Sequence, residues 1–170
     1  HIMFSFSDLG TLPGGLTTSG YVRTYLPFSD ASRESEQITM FRIGYTVTKP
    51  LGDFSLSYYA EPRFYFQNNF YTMVDDADSQ TAAQKAANVM PQKRQGTNAF
   101  KYRHYIKAAY KISDVFTVYS LAGLWHTWTN DVNEVSGRYD LSTIALSETA
   151  VAASVGDMAI ALGVGQLGPS

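Results

Sequence analysis

The stretch MFRIGYTVTKPLGDFSLSYYAEPRFYF, residues 40–66, holds two alternating runs joined by a short turn. Phe41, Ile43, Tyr45 and Val47 share one parity, and Arg42, Gly44, Thr46 and Thr48 the other. After Lys49-Pro50-Leu51-Gly52-Asp53 the alternation resumes, with Phe54, Leu56, Tyr58, Ala60, Pro62, Phe64 and Phe66 against Ser55, Ser57, Tyr59, Glu61, Arg63 and Tyr65. Side chains on a strand alternate between faces, so Thr39 to Gln67 predicts a β-hairpin with one apolar and one polar face. Its second strand runs to about 13 residues, where ordinary strands have about 5–6. Strands of that length suit a membrane barrel, which needs about 9–11 tilted residues per crossing.

The same alternation extends outward. A short strand is expected around Ile2, Phe4 and Phe6, then a Gly/Pro turn at 10–15 and a strand from Ser19 to Phe28. Phe100 to Ile112 alternates again, with Lys101, Arg103, Tyr105, Lys107 and Lys111 on the polar parity. Phe116 to Trp128 follows, although Leu121 and Trp125 break its polar face. Arg138 to Ser154 reads as strand of ambiguous parity, and Met158, Ile160, Leu162 and Val164 begin another. Residues 68–98 are expected to form a long polar connection with a short helix at Ala82–Ala87, capped by Asp78 or Ser79 and ended by Pro91 and Gly96.

Short turns at 49–53, 113–114 and 155–157 alternate with longer polar loops at 29–36, 68–98 and 130–137. A transmembrane up-and-down barrel segregates its loops by end in this way. On the apolar parity, Phe54, Tyr110 and Phe116 lie by the short turns, and Phe64, Phe66, Phe100, Tyr102 and Trp128 by the long loops. Ala60, Ala108, Ser120 and Ala122 lie between them. Two aromatic girdles around a band of smaller residues fit the two membrane interfaces.

Composition narrows the classes. The chain has 170 residues, net charge −2, and no cysteine. Disulfides, thiolate metal sites and cysteine nucleophiles are therefore excluded, and no basic field points to nucleic acid. Mean hydropathy is −0.16 and no run of about 18 apolar residues occurs, so a transmembrane helix is not expected. No signal peptide is visible in His1-Ile2-Met3-Phe4. Aromatics reach 14%, which favours β structure.

On these patterns, residues 18–165 resemble bacterial outer-membrane β-barrel proteins of the porin-like class. The resemblance implies an all-β fold, an antiparallel up-and-down transmembrane β-barrel of about eight strands, as one domain over residues 1–170 with a long outer loop at 68–98. It implies a bacterial outer-membrane location, and membrane lipid, outer-leaflet lipid included, as partner. Two departures stand out: the chain ends Leu167-Gly168-Pro169-Ser170 rather than in an aromatic, and the strand count puts both termini at the long-loop end.

Arg23, Arg42, Glu61, Arg63, Lys101, Arg103, Lys107 and Lys111 share the inward parity. Seven basic groups against one acid describe a cationic, pore-lining face that attracts small anionic solutes. The competing expectation is a salt-bridge network centred on Glu61 that fills a narrow barrel, since about eight strands enclose little more than side chains. His104 and His126 take the outward parity as interfacial groups. Three scattered histidines give no zinc spacing. Asp75, Asp76 and Asp78 lack the glycine and glutamate of a calcium loop and read as a solvated loop rather than a divalent-cation site, and Lys93 and Arg94 in the same loop offer only a weak signal for contact with lipid phosphates.

Gly163-Val164-Gly165-Gln166-Leu167-Gly168 fits GxGxxG by chance, with only two residues after it. No GKS/T, HExxH or GxSxG motif occurs, so neither an enzyme nor a cofactor site is expected. Three functions stay open: an anion-favouring diffusion pore, a closed barrel with a structural or surface-recognition role, and a soluble lipocalin-like carrier with apolar groups inside.

Overall fold

The computed structural model describes residues 2–6, 9–28, 36–69, 71–75, 80–87, 90–130, 139–155 and 158–169. In chain order the elements are β1 (Ile2–Phe6), β2 (Thr11–Leu12), β3 (Leu16–Tyr25), β4 (Gln37–Leu51), β5 (Phe54–Gln67), β6 (Tyr71–Asp75), helix α1 (Ala82–Ala86), β7 (Gln92–Gly96), β8 (Asn98–Lys111), β9 (Phe116–Asn130), β10 (Tyr139–Val155) and β11 (Met158–Pro169). The deciding hairpin forms as β4 and β5, which pair from Leu51↔Phe54 to Gln37↔Gln67. Gly52 makes their turn with φ of 68°, a left-handed conformation that glycine adopts without strain.

The main sheet is an antiparallel meander in the order β1-β3-β4-β5-β8-β9-β10-β11, with β2 folded onto the start of β3. It is open. Among the described residues β1 pairs only with β3 and β11 only with β10, so the expected closed barrel is corrected to an open sheet. Alternation fixes the face each residue takes. Whether first and last strands meet depends on tilt and shear, which leave no mark on the alternation. The registers place Ile2 beside Thr24 and Pro169 beside Ile144, so β1 begins and β11 ends at the long-loop end, as the strand count predicts.

The 68–98 connection differs from its expected form. It carries a second, two-stranded sheet, β6 with β7. Tyr71-Thr72-Met73-Val74 is the β-favouring run that marks it. Thr81 caps α1, with its side chain accepting from the Gln84 amide and the Gln84 side chain accepting from the Thr81 amide. That capping box explains why the helix starts at Ala82. Asp78 and Ser79, expected as caps, lie outside the described residues, as do Asp76 and loop residues 29–35 and 131–138.

A polar latch ties this connection to the sheet rim. The Thr97 hydroxyl accepts from Gln67 Nε2 at 2.5 Å and Asn130 Nδ2 at 3.0 Å, and donates to the Asn69 carbonyl at 2.9 Å. Thr97 and Asn130 are both buried. Thr97→Val keeps the shape and strips the Asn130 amide of its acceptor, while Gln67 Nε2 keeps the Asn98 carbonyl at 2.9 Å, so the cost is about 1–3 kcal/mol for the one unsatisfied group. The expected result is faster proteolytic nicking of 68–97 with the main sheet still folded. Unchanged nicking would refute the latch.

The distribution of side chains between the faces is inverted relative to a water-soluble sheet. On β4 and β5 the apolar parity is exposed: Phe41 at 37%, Ile43 at 40%, Phe64 at 40%. The polar parity is sheltered, and Glu61 on it is 0% exposed. Among the described residues, the buried hydrophobic side chains are Tyr59 and Ala150. The sequence left open which parity turns inward; the sheet turns the charged one inward. Through the registers Glu61↔Arg103, Arg103↔Trp125 and Trp125↔Ile144, it also resolves β10. Ile144, Leu146 and Glu148 face inward with Glu61, and Leu141, Thr149 and Val151 face outward.

Candidate functional site: a cationic face centred on Glu61

Glu61 sits near the middle of β5 with its carboxylate wholly enclosed. Its Oε1 accepts from Arg63 Nε at 2.8 Å and Nη2 at 2.6 Å, two charge-assisted bonds onto one oxygen. Its Oε2 accepts from Arg42 Nε at 2.5 Å and from the phenols of Tyr21 and Tyr59. The two phenols lie 3.0 Å apart. Arg103 Nη2 is more distant, at 3.6 Å from Oε2. Thus β3, β4, β5 and β8 converge on one carboxylate, because Tyr21↔Gly44, Arg42↔Arg63 and Glu61↔Arg103 are register partners.

Two glycines make the room. Gly44 lies opposite Tyr21, whose ring covers it so closely that a Cβ would strike the Cδ1, Cε1 and Cζ atoms. Gly123 lies opposite Tyr105, and a Cβ there would strike the His104 carbonyl and the Tyr105 backbone. Tyr105 in turn stacks on Tyr59, with centroids 4.7 Å apart. Bare backbone at Gly44 therefore lets the Tyr21 ring lie down on the inner face and aim its hydroxyl at Glu61, and Gly123 lets β9 approach Tyr105 closely.

The remaining predicted cations are placed differently. Arg23 donates to the Tyr25 hydroxyl at 2.9 Å and to the Met3 sulfur, one strand away from Glu61. Lys101 lies 5.7 Å from the Trp125 ring centroid and 5.8 Å from that of Tyr65. Lys107 stands 4.0 Å over Tyr119. Arg63 lies over Trp125 at 5.1 Å, so the inward tryptophan that broke the polar pattern is a cation–π platform. Lys111 does not join the group. It is at the short-turn rim, paired with Asp114 at 2.6 Å, and its side chain is half exposed. Its ammonium holds the Asp114 carboxyl below the usual carboxylate range.

Glu148 is an inward acid the sequence reading missed, because the parity of its strand was ambiguous. It accepts from the Tyr119 hydroxyl at 2.5 Å. Glu61 and Glu148 thus face six inward cations: Arg23, Arg42, Arg63, Lys101, Arg103 and Lys107. Asp140, exposed at the long-loop end of β10, shares the inward parity, and the positive excess remains after all three acids are counted.

The outward aromatics also assemble. Phe41–Phe66, Phe64–Phe100 and Phe100–Trp128 have centroids 5.7, 5.1 and 5.1 Å apart. Tyr102, His104 and His126 stack in succession, and Tyr58 bonds Tyr102 through hydroxyls 3.1 Å apart. His126 Nδ1 lies 2.9 Å from the Thr143 hydroxyl. This is one continuous belt across β4, β5, β8 and β9 near the long loops. Phe54 and Tyr110 are register partners at the opposite end, with Phe116 at the start of β9.

The weaker motifs stay apart from this site. Gly163 and Gly165 lie within β11, against Ala150 and Glu148 of β10, so the GxGxxG match is strand wall. Arg94 sits 4.3 Å over Tyr71 in the β6–β7 hairpin, and Asp75 ends β6. Among the described residues no three His, Asp or Glu side chains converge on a metal-sized site. Among the described residues no helix is long and apolar enough to cross a membrane. No protein family, curated protein or solved structure matches this chain.

Proposed function

We propose that this chain is a bacterial outer-membrane β-barrel protein that acts as a small diffusion pore, with a cationic lumen favouring small anions. One observation carries the reading: the apolar parity is exposed while guanidinium, ammonium and carboxylate groups occupy the sheltered parity. In water this arrangement leaves large apolar side chains unburied across the sheet, where soluble monomers keep exposed apolar patches to a few hundred Å2. In lipid it is the stable arrangement. The outward aromatic belt fits an interfacial girdle. A soluble carrier of apolar ligands needs apolar groups on the sheltered parity, so this face weighs against that role.

Membrane insertion also requires that the edges of β1 and β11 be paired, because unsatisfied backbone groups cost several kcal/mol each in hydrocarbon. In an eight-strand meander the first and last strands run antiparallel. Pairing them would close the barrel. The enclosed Glu61 knot favours a second reading, a closed barrel filled at mid-height and serving a structural or recognition role through the 68–98 hairpin.

Planar-bilayer recording in a salt gradient decides between them. The pore gives discrete steps with an anion-biased reversal potential. Arg42→Glu and Lys107→Glu each shift that potential toward cations, because each changes the lumen by about two charges. Folded, inserted protein without steps refutes the pore and leaves the filled barrel.

A further inference from the structure

A cleft of about 490 Å3 opens on the inner face beside the Glu61 knot. Arg103, Tyr105, Leu121, Trp125, Leu146 and Glu148 line it, with Gly165 of β11 at its border. Its volume falls in the range of small-molecule sites, and its walls are aromatic and aliphatic with one cation and one anion. From this cleft we infer a binding site for a small monocarboxylate carried on a flat apolar body, which makes such acids the favoured solute. This assignment of solute class rests on the charged parity facing inward, as in the proposed pore.

Three features select that chemistry. First, Arg103 is the least engaged of the three guanidiniums around Glu61, at 3.6 Å where Arg42 and Arg63 approach to 2.5 and 2.6 Å. Among the described residues, the buried side-chain N–H groups without an acceptor are Arg103 Nε and Trp125 Nε1, both in the walls of this cleft. Those two atoms are closed off from the cleft, but the Arg103 side chain keeps 28% of its surface exposed, and a carboxylate matches a guanidinium. Secondly, Leu121, Leu146, Trp125 and Tyr105 offer apolar surface that an inorganic anion would leave unused. Thirdly, Glu148 on β10 contributes a negative charge to the lining, with β9 between it and Arg103 of β8. It repels a second carboxylate and so limits the ligand to one.

Tryptophan emission tests this in detergent-folded full-length protein. The chain has two tryptophans, and Trp128→Phe leaves Trp125, in the cleft wall, as the reporter. Benzoate should change its emission saturably, and benzyl alcohol and chloride should not at equal concentration. Arg103→Gln should weaken benzoate by about 10-fold or more, the loss of one charge-assisted pair. Glu148→Gln should do the reverse, tightening benzoate by about 3-fold and admitting the dianion phthalate, because a repulsive charge is gone. A merely structural role for either residue would not give opposite signs.

Equal response to benzyl alcohol, no response to benzoate, or loss of binding in Glu148→Gln would overturn the site. If Arg103→Gln fails to fold, the Glu148→Gln result alone decides. A saturable titration in a protein that is silent in bilayers upholds the site and removes only the pore.

Discussion

Glu61→Ala is expected to lower unfolding stability by about 3 kcal/mol, the low end of the range for breaking a buried ion pair. The carboxylate is fully enclosed, whereas its guanidinium partners keep 15–28% of their side-chain surface exposed and regain some hydration. Removing the acid leaves three mutually repelling cations and two phenols without their shared acceptor. The cost is therefore mostly the penalty of uncompensated charge. Glu61→Gln keeps the shape and an acceptor oxygen, so it should lose about half as much. Arg42→Ala should also cost less, since Arg63 still holds Oε1 through two bonds. The measurement is the urea midpoint of the folded form in lipid vesicles or detergent. A midpoint for Glu61→Ala equal to that of the parent would mean the knot contributes nothing to the fold.

Gly123→Val should be comparably damaging, at about 3 kcal/mol, the upper end of ordinary overpacking costs. The Cβ it adds meets backbone on the neighbouring strand, the His104 carbonyl and the Tyr105 Cα, and backbone cannot swing aside as a side chain does. β8 and β9 must separate locally, which also pulls Tyr105 from its stack on Tyr59. Ala122→Val is the control. It adds two methyl groups to the next residue of the same strand, on the exposed face, and should change stability by less than about 0.5 kcal/mol. Equal effects of the two substitutions would show that the inner-face socket is unimportant.

These two residues also mark where reading the sequence stops. Glu61 stood out because it was the one acid on a basic parity of clearly alternating strands. Its phenolic donors did not stand out. Tyr21 and Tyr59 were simply polar-parity tyrosines until the register brought them to one carboxylate. Gly44 and Gly123 carried no signal, since a glycine in a strand marks a socket only when its cross-strand partner is known. Trp125 and Leu121 looked like breaks in the inner pattern and are instead walls of the cleft. Glu148 was missed because β10 mixes small, apolar and polar residues on both parities.

The sequence by itself determined the elements: long alternating strands, their antiparallel order, short turns at one end and long loops at the other. On the clearly alternating strands it also determined which residues share a face, because side-chain direction along a strand is a local property of period two. Only the tertiary structure decided which face is sheltered, which cations meet Glu61, that Lys111 stays at the rim, and that the 68–98 connection carries its own strand pair. It also left β1 and β11 unpaired where closure was expected. Those outcomes depend on register, shear and curvature, which arise from contacts between residues tens of positions apart and leave no periodic trace along the chain.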